Sequence, residues 1–373
     1  MKLKFIVAFL LGIVLCTQYS CSNEIGVIGL WKDIPVVYGV IHNQDSVHYI
    51  RVERAYLPPN ESALDAAKNV DSLYFNPNEV DVELYYIHNT TLDTLLWTKP
   101  FVRVNLADEG IIRDSGLFQH DPSYAYKTTG ITGHDLILKI HNRKTGNIFY
   151  ARTESIRASN SNIFTTPSYS LTPLKPIAWR SVNFQGDEVY SSLTVEMTGN
   201  GFAAIYDYKF RFHYKEYEID NQGAQIPGSI VSKSVEWTAS SDFIPVVANQ
   251  TKQVVSGEVF YQFLGNTLSD VTGTNTRRCG GYLEVYIDGA STSLRDYILA
   301  RKSNEGFVGG LYPSAPYSNI QDGYGVLATS DRIERADRAS DPRLMRMSAL
   351  TYEHLSTGPL TKNLGFESNF PCY

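Results

Sequence analysis

The thiol of Cys21 is the side chain whose chemistry the sequence defines best. Lys2 and Lys4 precede an apolar run from Phe5 to Leu15, the layout of a signal peptide and too short to remain as a membrane-spanning helix. Ser20 is the good small residue before a cut, so cleavage falls between Ser20 and Cys21. A cysteine that becomes the first mature residue takes a diacylglyceryl group on sulfur and a further acyl chain on its freed amine. Two or more chains anchor a protein stably where one is marginal. Cys16 is the poorer choice, because the bulky Leu15 precedes it, and it leaves with the leader. A plain secreted protein cut nearby is the alternative. Removing Cys16 and acylating Cys21 leaves Cys279 and Cys372 as an even pair. They are candidates for a disulfide that staples the C-terminal tail, with two separate thiols as the alternative.

No catalytic residue is nominated by spacing. The eight histidines include no His-Glu-x-x-His, and Gly-x-Ser-x-Gly is absent. His213 and Glu216 stand three apart on an expected strand, which sends them to opposite faces and excludes them as joint metal ligands. Asp71 and Glu79 flank "SLYFNPN", a loop that could offer carbonyls to calcium, although most acidic loops bind nothing. No metal or cofactor is therefore expected. Any two of the 39 acids could meet as the carboxylate pair of a glycoside hydrolase, and spacing singles out none. Ser46, Ser72 and Thr94 follow Asp in short "DSV", "DSL" and "DTL" matches to a Bacteroidota O-glycosylation motif.

The elements that would position any site are strands. "IPVVYGVI" and "SVHYIRVERAYL" flank a polar turn and imply a hairpin, and further strand signals run through "EVDVELYYI", "HDLILKIHN" and "NIFYARTESI". Asn60 after two prolines caps a short helix over 61–68. The stretch from Arg157 to Pro176 is rich in Ser, Thr, Asn and Pro and implies a linker. Beyond it, "IYDYKFRFHYKEYEI" puts Tyr206, Tyr208, Phe210, Phe212 and Tyr214 on one strand face and alternating charges on the other. That aromatic face is a core face first and a sugar-stacking platform second. "QVVSGEVFYQFL" continues the β pattern, and "STSLRDYILARKSNEG" has a helix's cap, apolar spacing and closing Gly306. "SDRIERADRASDPRLMRM" alternates acid and arginine, as a salt-bridged loop or short helix does. "YSNIQDGYGV" concentrates Asn, Asp and Gly in a loop that needs unusual backbone angles.

The expected fold is mainly β: an N-terminal immunoglobulin-like or prealbumin-like β-sandwich, then a larger β-rich domain with one or two short helices. The divisions fall at 1–20 for the signal peptide, 21–33 for the lipidated tether, 34–157 for the sandwich, 158–170 for the linker and 171–373 for the second domain. A charged fraction of 19% beside 43% apolar residues suits packed cores, and a net charge of −6 argues against nucleic acid.

"YSCSN" is similar to the loose lipobox of Bacteroidota lipoproteins. "PVVYGVIHNQDSVHYIRVERAYL", "AAKNVDSLYF", "VSGEVFYQFL", "LRDYI" and "YSNIQDGYGVLAT" together resemble a family of uncharacterised Bacteroidota outer-membrane lipoproteins. The resemblance implies a lipid-anchored outer-membrane address on the periplasmic face or the cell surface. It also implies a small sandwich followed by a larger β domain, with a TonB-dependent receptor or another envelope protein as partner. It supplies no active residues. The expected role is non-enzymatic binding or scaffolding beside an outer-membrane transporter. A hydrolase acting on glycan or peptide and a surface adhesin are the alternatives.

Overall fold

The computed structural model describes residues 34–55, 62–88, 94–112, 121–131, 135–156, 161–166, 176–199, 203–243, 250–304, 316–334 and 344–368. Strands β1 (Pro35–His42) and β2 (Val47–Arg54) form the expected hairpin, with buried residues on alternate positions facing a core. Next come the one-turn helices α1 (Ala63–Ala66) and α2 (Val70–Leu73), where the sequence implied one helix over 61–68. Strands β3 (Val80–His88), β4 (Thr94–Pro100), β7 (Asp135–Asn142) and β8 (Ile148–Thr153) make a four-stranded antiparallel sheet in the order β4-β3-β7-β8. Strands β5 (Val102–Asn105) and β6 (Tyr124–Thr129) instead extend the β1–β2 sheet. The two sheets enclose a core that includes Val37, Ile50, Leu84, Tyr86, Leu138 and Phe149, so the N-terminal part is a β-sandwich.

The second part is built on the long strands β13 (Ile205–Glu218), β14 (Val231–Phe243) and β16 (Thr276–Ala290). The aromatic face of β13 is core: Tyr206, Tyr208, Phe210, Phe212 and Tyr214 are all buried. It packs against β12 (Ser192–Gly199), which follows the short hairpin of β10 (Arg180–Val182) and β11 (Glu188–Tyr190), against β15 (Gln250–Ser256), and against two helices, α3 (Gly257–Thr267) and α5 (Ala349–Thr357). Trp179 lies at the centre with no exposed surface, stacked on Phe260 at 5.3 Å. Fully burying such a ring contributes up to about 3 kcal/mol. A further helix, α4 (Thr292–Asn304), matches the expected one and packs on β17 (Tyr324–Glu334).

Three details differ from the sequence reading. Residues Ser161–Thr166, placed in the linker, form a strand, β9, that pairs with β12. "GEVFYQFL" is helical: the Ser256 hydroxyl caps the Glu258 amide, and Phe260, Tyr261 and Leu264 share one helical face. A side chain at Gly257 would place its Cβ 2.1 Å from the Trp179 carbonyl, which explains the glycine where strand turns into helix. Among the described residues of the C-terminal part there are three α-helices, the third being "ALTYEHLST", which Ser348 caps.

The two parts also share a sheet. Nine strands run β14-β13-β16-β17-β1-β2-β6-β5, with the two-residue β18 (Leu344–Met345) paired to β16 off that path. The join is a parallel pairing of β1 with β17, from Val36 opposite Tyr324 to His42 opposite Ser330. Leu327 of β17 belongs to the N-terminal core and Ile333 to the C-terminal one. Each part thus keeps its own core while one strand serves both.

Candidate functional site

A cleft of about 1210 Å³ opens on the N-terminal sandwich, bounded by residues 70–79, the end of β5 with its following turn, Tyr124 of β6 and the β7–β8 turn. Three asparagines fold its rim. Asn76 Oδ1 accepts from the Asn78 amide at 3.0 Å, Asn105 Oδ1 from the Ser123 amide at 3.0 Å, and Asn142 Oδ1 from the Lys144 amide at 3.0 Å. Such side-chain turns fix loops that no ladder holds. The Asn69 side chain caps α2 and sets the direction of the chain into Tyr74 and Phe75.

Arg103 is the central cation. Its Nη1 donates to the Phe75 carbonyl at 3.0 Å, and its guanidinium carbon lies 3.8 Å from the ring centre of Tyr124 and 5.6 Å from that of Tyr74. The two tyrosine rings meet edge to face at 5.3 Å. This cation–π seat fixes the guanidinium plane without neutralising its charge. Arg103 makes no ion pair with any described carboxylate. Arg54 donates from Nη2 to the Asp71 carbonyl at 2.8 Å.

Four acidic residues line the cleft: Asp71, Glu79, Asp108 and Glu109. Lys144 sits 3.3 Å from Glu79. Glu109 accepts from Lys127 at 2.5 Å and from the Tyr49 hydroxyl at 2.8 Å, and these bonds, led by Lys127, hold its carboxyl below the usual range. Glu109 therefore stays ionised and is no reservoir of protons. Lys127 is correspondingly pushed up, chiefly by its bond to Glu109. The arrangement suits recognition: fixed donors on an aromatic seat, with two of the four acids, Glu79 and Glu109, held by neighbouring lysines.

A second polar cluster covers the outer face of the large sheet. Lys209 reaches Asp288 at 2.9 Å, Arg332 grips Asp288 with two bonds of 2.7 and 3.0 Å, and Arg211 bridges Glu284 and Glu236. Burial pushes the Asp288 carboxyl up, but Arg332 and Lys209 outweigh it and hold it below the usual range. Part of the acid–arginine stretch, from Ser330 to Glu334, is thus the end of β17, where Arg332 serves this network. His213 pairs with Glu284 at 2.9 Å on this face. Glu216 turns to the other side, toward Lys233 and toward Arg278 at 2.9 Å, so the two residues excluded as joint ligands are indeed apart.

Cys279 is buried and disulfide-bonded. Cys21 and Cys372 lie outside the described residues. Ser46 is exposed in the β1–β2 turn, where a glycan would have room. Ser72 is only 5% exposed inside α2. Thr94 opens β4, and its side chain lies outside the described ones. The loop carrying Asp71 and Glu79 does line a cleft, but among the described residues no three His, Cys, Asp or Glu side chains gather as a metal set. No described helix is long and apolar enough to cross a membrane. Arg54, Tyr74, Arg103 and Tyr124 escaped the sequence reading, since they sit on four separate elements. Only the turn signals "FNPN" and "HNRKTGN" marked the rim. No family model and no curated protein matches the chain.

Proposed function

We propose that this chain is a lipid-anchored cell-envelope protein that binds rather than catalyses, and that it serves as an accessory to an outer-membrane transporter. The observation that carries the binding role is the cleft, in which Arg103 is held by Tyr124 and Phe75 and has no carboxylate partner among the described residues. Anchoring rests on the leader and on Cys21. Palmitate labelling of the wild type that disappears in Cys21→Ala supports the anchor, and labelling that persists overturns it. Native pull-down from cross-linked membranes should return a TonB-dependent receptor or another envelope protein. Recovery of no partner above background counts against the accessory role.

We propose Cys372 as the partner in the Cys279 disulfide. The described chain ends beside β16, where the Glu367 amide donates to the Arg278 carbonyl at 2.9 Å. Four residues span up to about 14 Å, which is enough for Cys372 to turn back to the neighbouring Cys279.

An envelope glycan hydrolase is the second reading, favoured by the four acids in the cleft. It requires release of reducing sugar from envelope glycan by the wild type and its loss in Glu79→Gln or Asp108→Asn.

A further inference from the structure

We infer that the cleft selects an acidic sugar, gripping its carboxylate with the Nε–Nη2 edge of Arg103 and the hydroxyl of Tyr74. The inference rests on the binding role proposed above and names the ligand class for that same cleft.

Arg103 spends one donor on the protein, the Nη1 bond to the Phe75 carbonyl. Its Nε is buried, and among the described residues neither Nε nor Nη2 has a hydrogen-bond partner. Nε and Nη2 form one edge of the guanidinium plane. They are two parallel donors with the spacing of a carboxylate's two oxygens, the fork that gives arginine its preference for planar oxyanions. The tyrosine rings lie against the guanidinium and the Phe75 carbonyl takes Nη1, so the group is fixed in orientation before any ligand arrives. Tyr74 is 5% exposed, and its hydroxyl is also buried with no partner among the described residues. Native proteins leave few such groups unmatched, and two donors left together at one cleft call for an acceptor from outside.

The rim determines what carries the carboxylate. The Asn76 turn consumes Oδ1 and leaves the amide Nδ2 without a partner among the described residues, a neutral donor suited to hydroxyl and ring oxygens. Lys144 and Glu79 pair with each other, and Lys127 and Tyr49 hold Glu109, so these acids present a muted charge to an incoming anion. The open cleft exceeds a usual small-molecule pocket and has room for several sugar rings.

The test is calorimetric titration of the full-length protein in detergent micelles with trigalacturonate, its carboxyl-reduced neutral counterpart and an acidic tetrapeptide. Trigalacturonate should bind about 10- to 100-fold more tightly than the reduced sugar, the factor expected for hydrogen bonds to a charged group. Arg103→Gln should remove that preference. Arg103→Lys should also lose most of it, since an ammonium keeps the charge but not the fork. Tyr74→Phe should weaken trigalacturonate about five- to tenfold and leave the neutral sugar unchanged. Asn76→Asp, on the exposed rim, leaves the Arg103 side chain in place; by removing the Nδ2 donor and adding a negative charge it should weaken both sugars, trigalacturonate the more strongly. Equal binding of the acidic and reduced sugars, or an unaffected Arg103→Gln, overturns the anion assignment and leaves the cleft as a binding site. Tighter binding of the tetrapeptide overturns the sugar assignment. Binding of none of the three overturns the binding role as well.

Discussion

Asn319 joins both halves of the molecule, and replacing it by aspartate measures how much that junction contributes. Its Nδ2 donates to the Leu327 carbonyl at 2.7 Å, the Arg152 carbonyl at 2.9 Å and the Ser293 hydroxyl at 3.2 Å, while its Oδ1 accepts from the Leu327 amide at 3.0 Å. One amide thus ties β8, β17 and α4 together. Asn319→Asp preserves shape and the acceptor but turns two donor hydrogens into an anion facing two carbonyls. Losing the two bonds to carbonyls costs about 2 kcal/mol, the Ser293 hydroxyl can turn to donate to the new carboxylate, and stranding the carbonyl of the buried Leu327 adds at least about 1 kcal/mol, so a loss of roughly 3 kcal/mol at pH 7 is expected. Urea unfolding followed by tryptophan fluorescence reads it, with the slope checked for two-state behaviour. The introduced carboxyl, facing carbonyls, has a raised pKa in the folded state. Its protonated form can donate again, so the penalty is full above that pKa and shrinks as pH falls toward about 3.9, the unfolded value. A change within about 0.5 kcal/mol at pH 7, the range of an ordinary surface substitution, would refute the clamp.

Gly325 has φ +106°, and a Cβ there would lie 1.9 Å from the Val37 carbonyl at the β1–β17 join. Gly325→Ala should therefore cost at least about 3 kcal/mol in the same titration. Acid should destabilise the fold in two windows. Burial lowers the pKa of His48 and His354, so stability falls as pH drops below about 6.5, where these side chains protonate in the unfolded chain. Asp288 and Glu216 keep their stabilisation above about pH 4 and lose it as pH falls through their depressed folded values. Unfolding midpoints between pH 7.5 and 3 test both, and a flat profile rejects them. Cys279→Ser and Cys372→Ser should each cost about 2–4 kcal/mol, and the double variant no more than either alone. Additive losses would show that the two cysteines have other partners.

The long periodic elements were legible in the sequence because their pattern is local. The alternation in "IYDYKFRFHYKEYE" yields β13 and its buried face directly, and the capped "STSLRDYILARKSN" yields α4. "GEVFYQFL" misled because aromatic and β-branched residues favour strands, while one cap and one close backbone approach decided for helix. The β1–β17 pairing was not legible at all, since no periodicity tells a strand which distant strand it will join. The cleft shared that difficulty. "SLYFNPN" stood out for its acids, yet its contribution is an aromatic seat for an arginine nearly thirty residues further on.

The parallel join has a kinetic consequence. His42 and Ser330 stand side by side although 288 residues separate them in sequence. During synthesis β2, β5 and β6 can pair with β1 early, but the open side of β1 waits until almost the whole chain has been made. Closing so long a loop adds only a slowly growing entropy cost, whereas the wait places this fold among the slow, high-contact-order folders. In that interval β1 is a bare strand edge, and its core lacks Ile320 and Leu327. An unpaired edge above an unfinished core is the species most prone to aggregate or to swap strands with another copy. A nascent or truncated chain lacking β17 would therefore depend on a chaperone for as long as that edge stays open.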